Sequence, residues 1–269
     1  MSPFRRAQFR FWRLAEPRAF FEWQSFYALR PWLKRLPRGD GHPVIVFPGF
    51  GGGDLSTRPM RALLTSLGYE THGWGLGSNI WVDEHLEAEM VALVREVAAN
   101  SGRKVSLIGW SLGGLFAREV AKGCADCVRS VISLGSPISA EPRHSGAHGL
   151  FELLNGAPSN LEHHRRSSFR SPPPVPTTSI YSKTDGIVAW EGSMQTAHPQ
   201  TENIEVPASH LGIGVNPLVM YVLADRLRQP EGSWRKFRVS GIHKLWFSVP
   251  KQTVGLSPEQ HSQAAGIAG

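Results

Sequence analysis

The chain has few cysteines and no long apolar run. Two cysteines among 269 residues cannot build a disulfide scaffold. No stretch approaches the roughly 20 consecutive apolar residues that a membrane-spanning helix needs, and the N-terminal residues lack the uninterrupted apolar segment of a secretory signal. Hydrophobic residues make up 41% of the chain and charged residues 19%, a balance that excludes extended disorder. We therefore expect a folded cytoplasmic protein that is soluble or bound to a membrane surface.

Positive charge is concentrated near the N-terminus. Residues 1–40 contain nine basic and three acidic side chains, so they carry +6 of the formal net charge of +7. They also hold ten of the 26 aromatic residues, including Trp12, Trp23 and Trp32. The nearly neutral remainder lacks the basic stripe of a nucleic-acid-binding face, so we expect no nucleic-acid partner. A basic aromatic segment suits an anionic membrane surface, and residues 1–40 are predicted to be able to make a peripheral contact there.

A helix is predicted within residues 1–40, which we term the N-terminal arm. In a helix over residues 18–29, Phe20, Trp23 and Tyr27 would share one face, and Phe26 would widen it. This face could be buried against the body of the protein, or it could lie in a membrane interface with the arginines on anionic headgroups. The sequence leaves both open, although packing is the commoner fate of aromatic side chains.

Residues 41–228 alternate short apolar runs with helical patterns. This order predicts an α/β fold with a mainly parallel sheet and helices on both faces. Ligands of such sheets bind beyond the carboxyl ends of the strands. Residues 229–269 form a C-terminal extension whose end we expect to be flexible. The predicted strands are Val44–Phe47, Tyr69–Trp74, Val105–Ile108, Val128–Leu134, Thr178–Tyr181 and Ile204–Val206.

A G-x-S-x-G motif follows the third predicted strand, where Gly109-Trp110-Ser111-Leu112-Gly113 leads into a predicted helix. Strand, sharp turn and helix form the context in which this motif presents a nucleophilic serine. The helix N-terminus behind Ser111 favours negative charge on an oxyanion. The segment resembles the nucleophile elbow of α/β-hydrolase-fold serine hydrolases, in particular bacterial lipases and carboxylesterases. The resemblance covers residues 41–228 and implies that fold, with Ser111 as the nucleophile.

An acyl-transfer enzyme also needs two backbone N–H groups aimed at the developing oxyanion. The resemblance assigns one of them to Leu112, the residue after the nucleophile. The loop Phe47-Pro48-Gly49-Phe50-Gly51-Gly52-Gly53 resembles the His-Gly-x loop of lipases, with Pro48 in place of the histidine. By that match Phe50 offers the second N–H group, and Gly51 is the alternative. A phosphate-binding loop is excluded because no Gly-Lys-Ser/Thr follows the glycines.

The acid and the base are expected after the nucleophile, in that order along the chain. Asp185 follows the strand at Thr178–Tyr181 and is the predicted acid, with Glu191 as the alternative. His210 follows the strand at Ile204–Val206 and precedes a helix that begins at Pro217, so it is the predicted base.

The substrate pocket is predicted less sharply. Residues 138–176 lie between the fourth strand and the strand that carries Asp185, and their length predicts a small cap over the site. Within this cap Phe151 and Leu154 fall on a short apolar helix face that would contact an acyl chain. Trp74 and Trp110 are the other predicted pocket residues, because they lie at the active-site end of the sheet.

These residues predict a serine ester hydrolase that acts on a small-molecule or lipid ester through an acyl-enzyme. Such a triad needs no metal or organic cofactor, and we expect none. Two alternatives stay open. An acyltransferase would use the same triad with an alcohol acceptor, and an inactive hydrolase fold would bind a ligand or a membrane. An inactive protein is expected to lose at least one triad residue, and none is missing.

Overall fold

Six strands form a single sheet in the computed structural model, which describes residues 3–80, 84–138 and 171–250. The strands are β1 (Pro43–Phe47), β2 (Glu70–His72), β3 (Val105–Trp110), β4 (Val128–Leu134), β5 (Thr177–Tyr181) and β6 (Thr201–Glu205). Their order is β2-β1-β3-β4-β5-β6, and every neighbouring pair is parallel. The predicted α/β fold with a parallel sheet is therefore confirmed.

Helices cover both faces of the sheet. The helices of the described residues are α1 (Pro3–Leu14), α2 (Ala19–Ala28), α3 (Arg30–Leu33), α4 (Asp54–Ser66), α5 (Glu84–Ser101), α6 (Leu112–Gly123) and α7 (Pro217–Leu227). One core layer joins α4 and α7 to the sheet, and the other joins α5 and α6 to its opposite face. Because both faces are covered, a central strand such as β1 is buried along its whole length and consists of apolar, mostly β-branched residues.

The chain reverses its direction across the sheet between β1 and β3. From β1 the chain moves outward to the edge strand β2, and it then returns to the other side of β1 to form β3. The loops that follow β1 and β3 therefore diverge and leave a crevice between them, which is where open α/β sheets bind ligands. The glycine loop after β1 and the G-x-S-x-G turn after β3 both lie at this position.

The N-terminal arm packs on the body, but not through the predicted aromatic face. The buried residues are Phe26 and Leu33, which join the core layer of α4 and α7. Phe20, Trp23 and Tyr27 are 63%, 40% and 48% exposed. The helix is present. Of the two environments left open for its aromatic face, burial against the body is contradicted for Phe20, Trp23 and Tyr27, whereas Phe26 is buried. Glu22 and Phe26 occupy the inward side of α2 instead, since the body offers hydrogen-bond donors there.

The C-terminal extension also packs on the body over residues 229–250. Phe237 and Phe247 are buried in the same core layer, and Ser248 forms an antiparallel bridge with Glu205 at the edge of β6. The end of the extension, residues 251–269, lies outside the described residues. Residues 139–170, which make up most of the predicted cap and include Phe151 and Leu154, also lie outside them. No helix of the described residues is long and apolar enough to cross a bilayer.

Candidate active site

Ser111 occupies a strained backbone position between β3 and α6. Its φ of 53° and ψ of −119° make it the one non-glycine residue with positive φ in the described parts of the chain. Such a conformation costs about 1–3 kcal/mol and persists only where the surroundings enforce it. Here the Ser111 amide donates to the carbonyl of Leu134, and the Gly114 amide donates to the Ser111 carbonyl. The turn thereby presents the Ser111 side chain at the carboxyl end of the sheet.

Two glycines allow this turn to approach its neighbours closely. A Cβ atom on Gly109 would lie 2.2 Å from the carbonyl oxygen of Gly113. A Cβ atom on Gly113 would lie 2.4 Å from the carbonyl oxygen of Phe47. Both distances are too short for any side chain, so the motif needs glycine on each side of Ser111. The contact with Phe47 also brings the elbow against the loop that follows β1.

The three residues predicted as a triad lie in one hydrogen-bonded row. His210 Nε2 is 3.0 Å from Ser111 Oγ, and His210 Nδ1 is 2.7 Å from Asp185 Oδ2. All three side chains are buried. Asp185 Oδ1 accepts the amides of Ile187 and Val188 at 2.8 and 2.7 Å, which fixes the orientation of the carboxylate. The structure thus pairs His210 with Asp185 and not with Glu191, which belongs to the short 3₁₀ turn Trp190–Ser193.

The surroundings of His210 set its proton affinity. Burial disfavours the charged imidazolium, but the Asp185 carboxylate outweighs burial, so the pKa of His210 lies above its ordinary value. The Glu16 carboxylate raises this pKa further through its charge. The contact with Asp185 holds the proton on Nδ1, which leaves Nε2 free to accept the proton of the Ser111 hydroxyl.

The structure distinguishes between the two predicted donors of the glycine loop. The amide of Gly51 donates to the carbonyl of Asn79 at 2.7 Å, so it is already engaged. Phe50 lies between Gly51 and Gly49, and a Cβ atom on Gly49 would be 3.5 Å from Ser111 Cβ. Leu112 is the first residue of α6, where backbone amides have no partner within the helix. Phe50 and Leu112 therefore remain the pair best placed to hold an oxyanion.

Asn79 was not among the predicted site residues, although it holds the glycine loop in place. Its side chain is buried, and Nδ2 donates to the carbonyl of Pro48 at 2.8 Å. Its backbone carbonyl accepts the Gly51 amide, and its own amide donates to the carbonyl of Gly52 at 2.7 Å. Three hydrogen bonds from one residue thus fix the loop that carries Phe50. The segment Gly73–Asn79 follows the second predicted strand at the active-site end of the sheet, but nothing in its residues indicates this contact.

The two predicted pocket tryptophans lie in different surroundings. Trp74 is 1% exposed and packs in the core with α5 and α6, so its assignment to the pocket is a misplacement. The cause is Asp54, whose carboxylate accepts the amides of Trp74 and Gly75 and draws this loop onto the start of α4. Trp110 is half-buried beside the nucleophile, and its indole Nε1 donates to the carbonyl of His210 at 3.1 Å. Trp110 therefore supports the histidine loop.

The most unexpected contacts to the site come from the arm. Glu16 lies in the 3₁₀ turn Glu16–Arg18 and is 5% exposed. Its Oε1 accepts the amides of Gly186 and His210 at 2.8 and 3.0 Å. Its Oε2 accepts the amide of Leu211 at 3.0 Å. One carboxylate thus binds the loop of the acid and the loop of the base at once.

Glu22 and Arg18 extend this attachment. Glu22 accepts the amide and the hydroxyl of Ser209, both at 2.7 Å. The Arg18 guanidinium donates to the carbonyls of Ala208 and Thr184. The sequence offered one signal for these contacts, because Glu16 and Glu22 are the two acids among the many basic residues of positions 1–38. It contained no information about which loops they would reach.

This arrangement of fold and site defines an α/β hydrolase with a serine, histidine and aspartate in hydrogen-bonded order. A sequence model described as the alpha/beta hydrolase family matches residues 19–254, and the chain belongs to this family.

Relatives with assigned activities share only part of their length with this chain. A pimeloyl-[acyl-carrier protein] methyl ester esterase of Aliivibrio salmonicida is 29% identical over 111 residues, which are 41% of this chain and 41% of that protein. The protein of the same name from Yersinia pseudotuberculosis is 30% identical over 88 residues, or 24% of this chain and 34% of that protein. The matched regions thus span less than half of each relative.

Solved structures share the fold at low sequence identity. Lipase B of Aspergillus fumigatus superposes with a TM-score of 0.57 and 18% identity, over 72% of this chain and 54% of that one. The mature lipase BlEst2 of Bacillus licheniformis superposes with a TM-score of 0.52 and 18% identity, over 71% of this chain and 94% of that one. At these identities the likeness supports the α/β-hydrolase fold alone.

Proposed function

We propose that this protein hydrolyses carboxylic esters through a serine-bound acyl-enzyme. The observation that carries the proposal is the row Ser111–His210–Asp185, in which both hydrogen bonds have distances of 3.0 Å or less. The strained turn, the helix N-terminus at Leu112 and the fixed glycine loop surround the same hydroxyl. These are the parts that acyl transfer requires: a nucleophile, a base held in one tautomer, and donors for an oxyanion.

Acylation begins with the Ser111 hydroxyl. As Oγ attacks the ester carbonyl carbon, His210 Nε2 takes the hydroxyl proton and becomes an imidazolium. The Asp185 carboxylate stabilises that cation, and the amides of Phe50 and Leu112 hold the negative oxygen of the tetrahedral intermediate. The intermediate collapses when the bond to the leaving alkoxide breaks, and His210 returns the proton to that oxygen. An alcohol leaves, and the acyl group stays on Ser111.

Deacylation repeats these steps with water. His210 Nε2 removes a proton from the water molecule as its oxygen attacks the acyl carbon. The second tetrahedral intermediate is held by the same two amides. When it collapses, Ser111 Oγ leaves and takes the proton from His210, and the carboxylic acid is released. The net reaction consumes one ester and one water.

The related proteins support an ester as the substrate. The two partial relatives are named as methyl ester esterases, and solved structures of the same fold are named as lipases. We extend the ester class, but not a particular acyl or alcohol group, to this chain. We also propose that the protein acts in the cytoplasm, which is supported by Cys124 and Cys127, both of them free thiols.

Two other functions were left open by the sequence. An acyltransferase would pass the acyl group from Ser111 to an alcohol, and the triad alone does not favour water over such an acceptor. A binding protein without activity would need neither the hydrogen-bonded row nor the strained backbone of Ser111, because such strain persists where a function depends on it.

The test combines turnover with active-site labelling. Purified protein is assayed with p-nitrophenyl acetate, butyrate and octanoate, before and after treatment with a serine-reactive phosphonate. We expect turnover, its loss on treatment, and one phosphonate adduct on the peptide that contains Ser111. Ser111→Ala should lower kcat by about 10⁶-fold, as in other triads. Ser106→Ala is the matched control, since Ser106 is a buried serine of β3, the strand that leads into Ser111, and contacts His42.

Each outcome has a distinct meaning. Activity of Ser111→Ala within tenfold of the unmodified protein would remove Ser111 as the nucleophile. A protein that takes up the phosphonate but does not turn over any ester would argue for the binding-only function. Added alcohols that yield a new ester faster than free acid forms would favour the acyltransferase.

A further inference from the structure

The N-terminal arm exposes an unusual amount of apolar surface. Fourteen large apolar side chains are exposed in the described residues, and eight of them lie between Phe11 and Trp32. Single exposed apolar residues are normal on proteins, but a continuous segment of them marks an interaction surface. The eight residues are Phe11, Leu14, Phe20, Phe21, Trp23, Tyr27, Leu29 and Trp32.

Helix α2 shows how this surface arises. Glu22 and Phe26 are four residues apart and lie on the side of the helix that meets the body. Phe20, Trp23 and Tyr27 follow the adjacent, exposed side at helical spacing, and the rings of Trp23 and Tyr27 are 5.7 Å apart. The aromatic residues of the helix therefore extend beyond the side that the body covers.

The charges of the arm are sorted in the same way. Both acids of residues 6–38 point inward, where Glu16 and Glu22 accept backbone amides of the body. The exposed charged side chains are basic, and Arg35 stacks over the ring of Trp32 at 4.8 Å. The outward surface is thus positive and aromatic without an exposed acid among these residues. Its basic members include Arg10, Arg13, Lys34, Arg35 and Arg38.

We propose that the outward surface of the arm, residues 10–38, docks on the anionic face of a lipid bilayer. Aromatic rings suit the boundary between headgroups and acyl chains, and arginines bind the phosphates above it. The arm is also joined to the active site, because a Cβ atom on Gly186 would lie 2.4 Å from the backbone nitrogen of Arg13. Docking through the arm would hold the loop of Asp185 close to the docked segment. The proposal itself rests on exposure and charge, and not on the ester hydrolase function.

Vesicle binding tests the proposal with the full chain. The protein is mixed with vesicles of phosphatidylcholine alone, or with vesicles that also contain phosphatidylglycerol, and bound protein is measured by sedimentation. We expect binding that needs phosphatidylglycerol and weakens at high salt, since salt screens surface charge. Equal binding to both vesicles, or no binding to either, would contradict the proposal.

Two variants locate the binding surface. Lys34→Gln/Arg35→Gln should weaken binding by about tenfold or more, because each basic group near an anionic surface contributes about 1 kcal/mol. The matched control is Lys104→Gln/Arg95→Gln, which removes a lysine and an arginine that form surface ion pairs with Glu231 and Asp126, outside the arm. Phe20→Ser/Trp23→Ser/Tyr27→Ser should also reduce binding, with the unfolding temperature unchanged because these side chains are exposed.

The alternative occupant of the surface is a second copy of the chain. In that case the protein would be a dimer by size-exclusion chromatography, and the triple serine variant would be a monomer. A dimer that does not bind vesicles would overturn the bilayer proposal. If the triple variant unfolds, the charge pair and its control still decide between the two outcomes.

A second inference comes from the contacts of Glu16. We infer that Glu16 is a positioning residue for the triad, since its carboxylate accepts amides from both loops that carry His210 and Asp185. Asp185 follows β5 and His210 follows β6, so their loops could shift independently without a common partner. A shift of about 1 Å in a catalytic group can lower turnover by about 100-fold. This inference rests on the proposed function, because its readout is turnover.

The effect of the Glu16 charge on His210 distinguishes a positioning role of Glu16 from a purely structural role. Asp185 faces the imidazole directly, Glu16 accepts the His210 amide, and Arg18 and Glu22 bind the neighbouring residues of the same loop. Glu16→Gln removes one negative charge at nearly constant shape. The pKa of His210 should then fall, because Glu16 raises it in the native protein. The acidic limb of kcat/KM should shift to lower pH.

Kinetics of two variants test the inference. Glu16→Ala should lower kcat at least tenfold with KM within twofold, and Glu16→Gln should lower it less and shift the pH limb. Glu22→Gln is the control, since Glu22 binds the same loop at Ser209 and should leave the position of the pH limb unchanged. A lowered unfolding temperature of Glu16→Gln with unchanged kcat and pH limb would reduce Glu16 to a structural role. Activity absent in all variants including the unmodified protein would instead refute the proposed function.

Discussion

Asn79 and Pro48 are linked by a buried hydrogen bond of 2.8 Å, from the side-chain amide of one to the backbone carbonyl of the other. Pro48 lies two residues before Phe50, the predicted oxyanion donor. The backbone of Asn79 exchanges two further hydrogen bonds with Gly51 and Gly52. The glycine loop has few side chains of its own to hold it. Ser56 binds its last carbonyl, at Gly53, and Asn79 from the loop after β2 binds the part around Phe50.

We expect Asn79→Ala to lower kcat by about 10- to 100-fold. Loss of one oxyanion donor costs about 100- to 1,000-fold in a comparable site, and here the donor is loosened, not removed. KM should change little, because the oxyanion forms only after the ester has bound. Steady-state kinetics with p-nitrophenyl butyrate measure both parameters.

Asn203→Ala is the matched control for this prediction. Asn203 is a buried asparagine of β6 whose side chain hydrogen-bonds the backbone of Gln195, away from the glycine loop. Both variants should unfold at lower temperature, since each leaves buried backbone groups without a partner. Only Asn79→Ala should lose kcat. Equal losses in both variants would mean that the effect is general destabilisation.

The same kinetic assay shows whether Asp185 or Glu191 is the acid of the triad. Asp185→Asn should lower kcat by about 10⁴-fold, because the amide no longer holds the tautomer in which His210 accepts the Ser111 proton. Glu191→Gln should stay within about threefold, since Glu191 lies outside the hydrogen-bonded row. The reverse order of effects would transfer the role of the acid to Glu191.

The triad could be predicted from the sequence because each member directly follows a strand. Ser111, Asp185 and His210 come after β3, β5 and β6, and parallel strands bring their carboxyl ends to one edge of the sheet. The strands themselves are apolar runs of ordinary length, so their positions were recoverable within a few residues. β2 ends at His72, two residues before its predicted end, because Asp54 binds the amides of Trp74 and Gly75, and β6 begins at Thr201, three residues before its predicted start.

The residues that support the triad could not be predicted, because their contacts are distant along the chain. Glu16 reaches the amide of His210 across 194 positions, and Asn79 reaches Pro48 across 31. Backbone groups are their partners, so no complementary side chain marks the contact in the sequence. The environment of the aromatic face of α2 was left open for a related reason. Its periodicity identifies a face, but does not specify whether the body has a surface to cover it.

Stability should fall as the pH drops below the ordinary pKa of histidine, because of His42. Burial lowers the pKa of His42 to about 4, against the favourable effect of its hydrogen bond to Asp40. The unfolded chain takes up a proton on His42 near pH 6.5, and the folded protein does so only near pH 4. The contribution of neutral His42 is therefore present above pH 6.5 and is lost between these values. It should amount to about 2 kcal/mol between pH 7.5 and pH 5.

Urea unfolding at the two pH values measures this loss. In His42→Gln the decrease in unfolding free energy on acidification should be smaller than in the unmodified protein by that amount. His72→Gln is the control, since His72 is a partly exposed histidine paired with Glu70. The raised pKa of His210 acts in the opposite direction, but it is common to all three proteins and cancels in the comparison. An equal pH dependence in His42→Gln would contradict the assignment.

Two glycines of α6 provide a final test of how the elbow meets the glycine loop. In Gly113→Ala the new methyl group would lie 2.4 Å from the carbonyl oxygen of Phe47 and 2.5 Å from that of Pro48. Backbone atoms cannot move aside cheaply, so the loop that carries Phe50 has to shift. We expect the unfolding free energy to fall by about 1–3 kcal/mol, and kcat to fall by about 10- to 100-fold as the oxyanion donors separate.

Gly123→Ala is the matched variant at the other end of the same helix. There the methyl group would lie 3.4 Å from Cγ2 of Val91, which is an ordinary contact. Alanine favours a helix over glycine by up to about 1 kcal/mol, so this variant should be as stable as the unmodified protein or more so, with unchanged kcat. If Gly113→Ala behaves like Gly123→Ala in both assays, the elbow and the glycine loop are not in the close contact described here. In that case Phe50 and Leu112 could not act together on one oxyanion, because their separation depends on that contact.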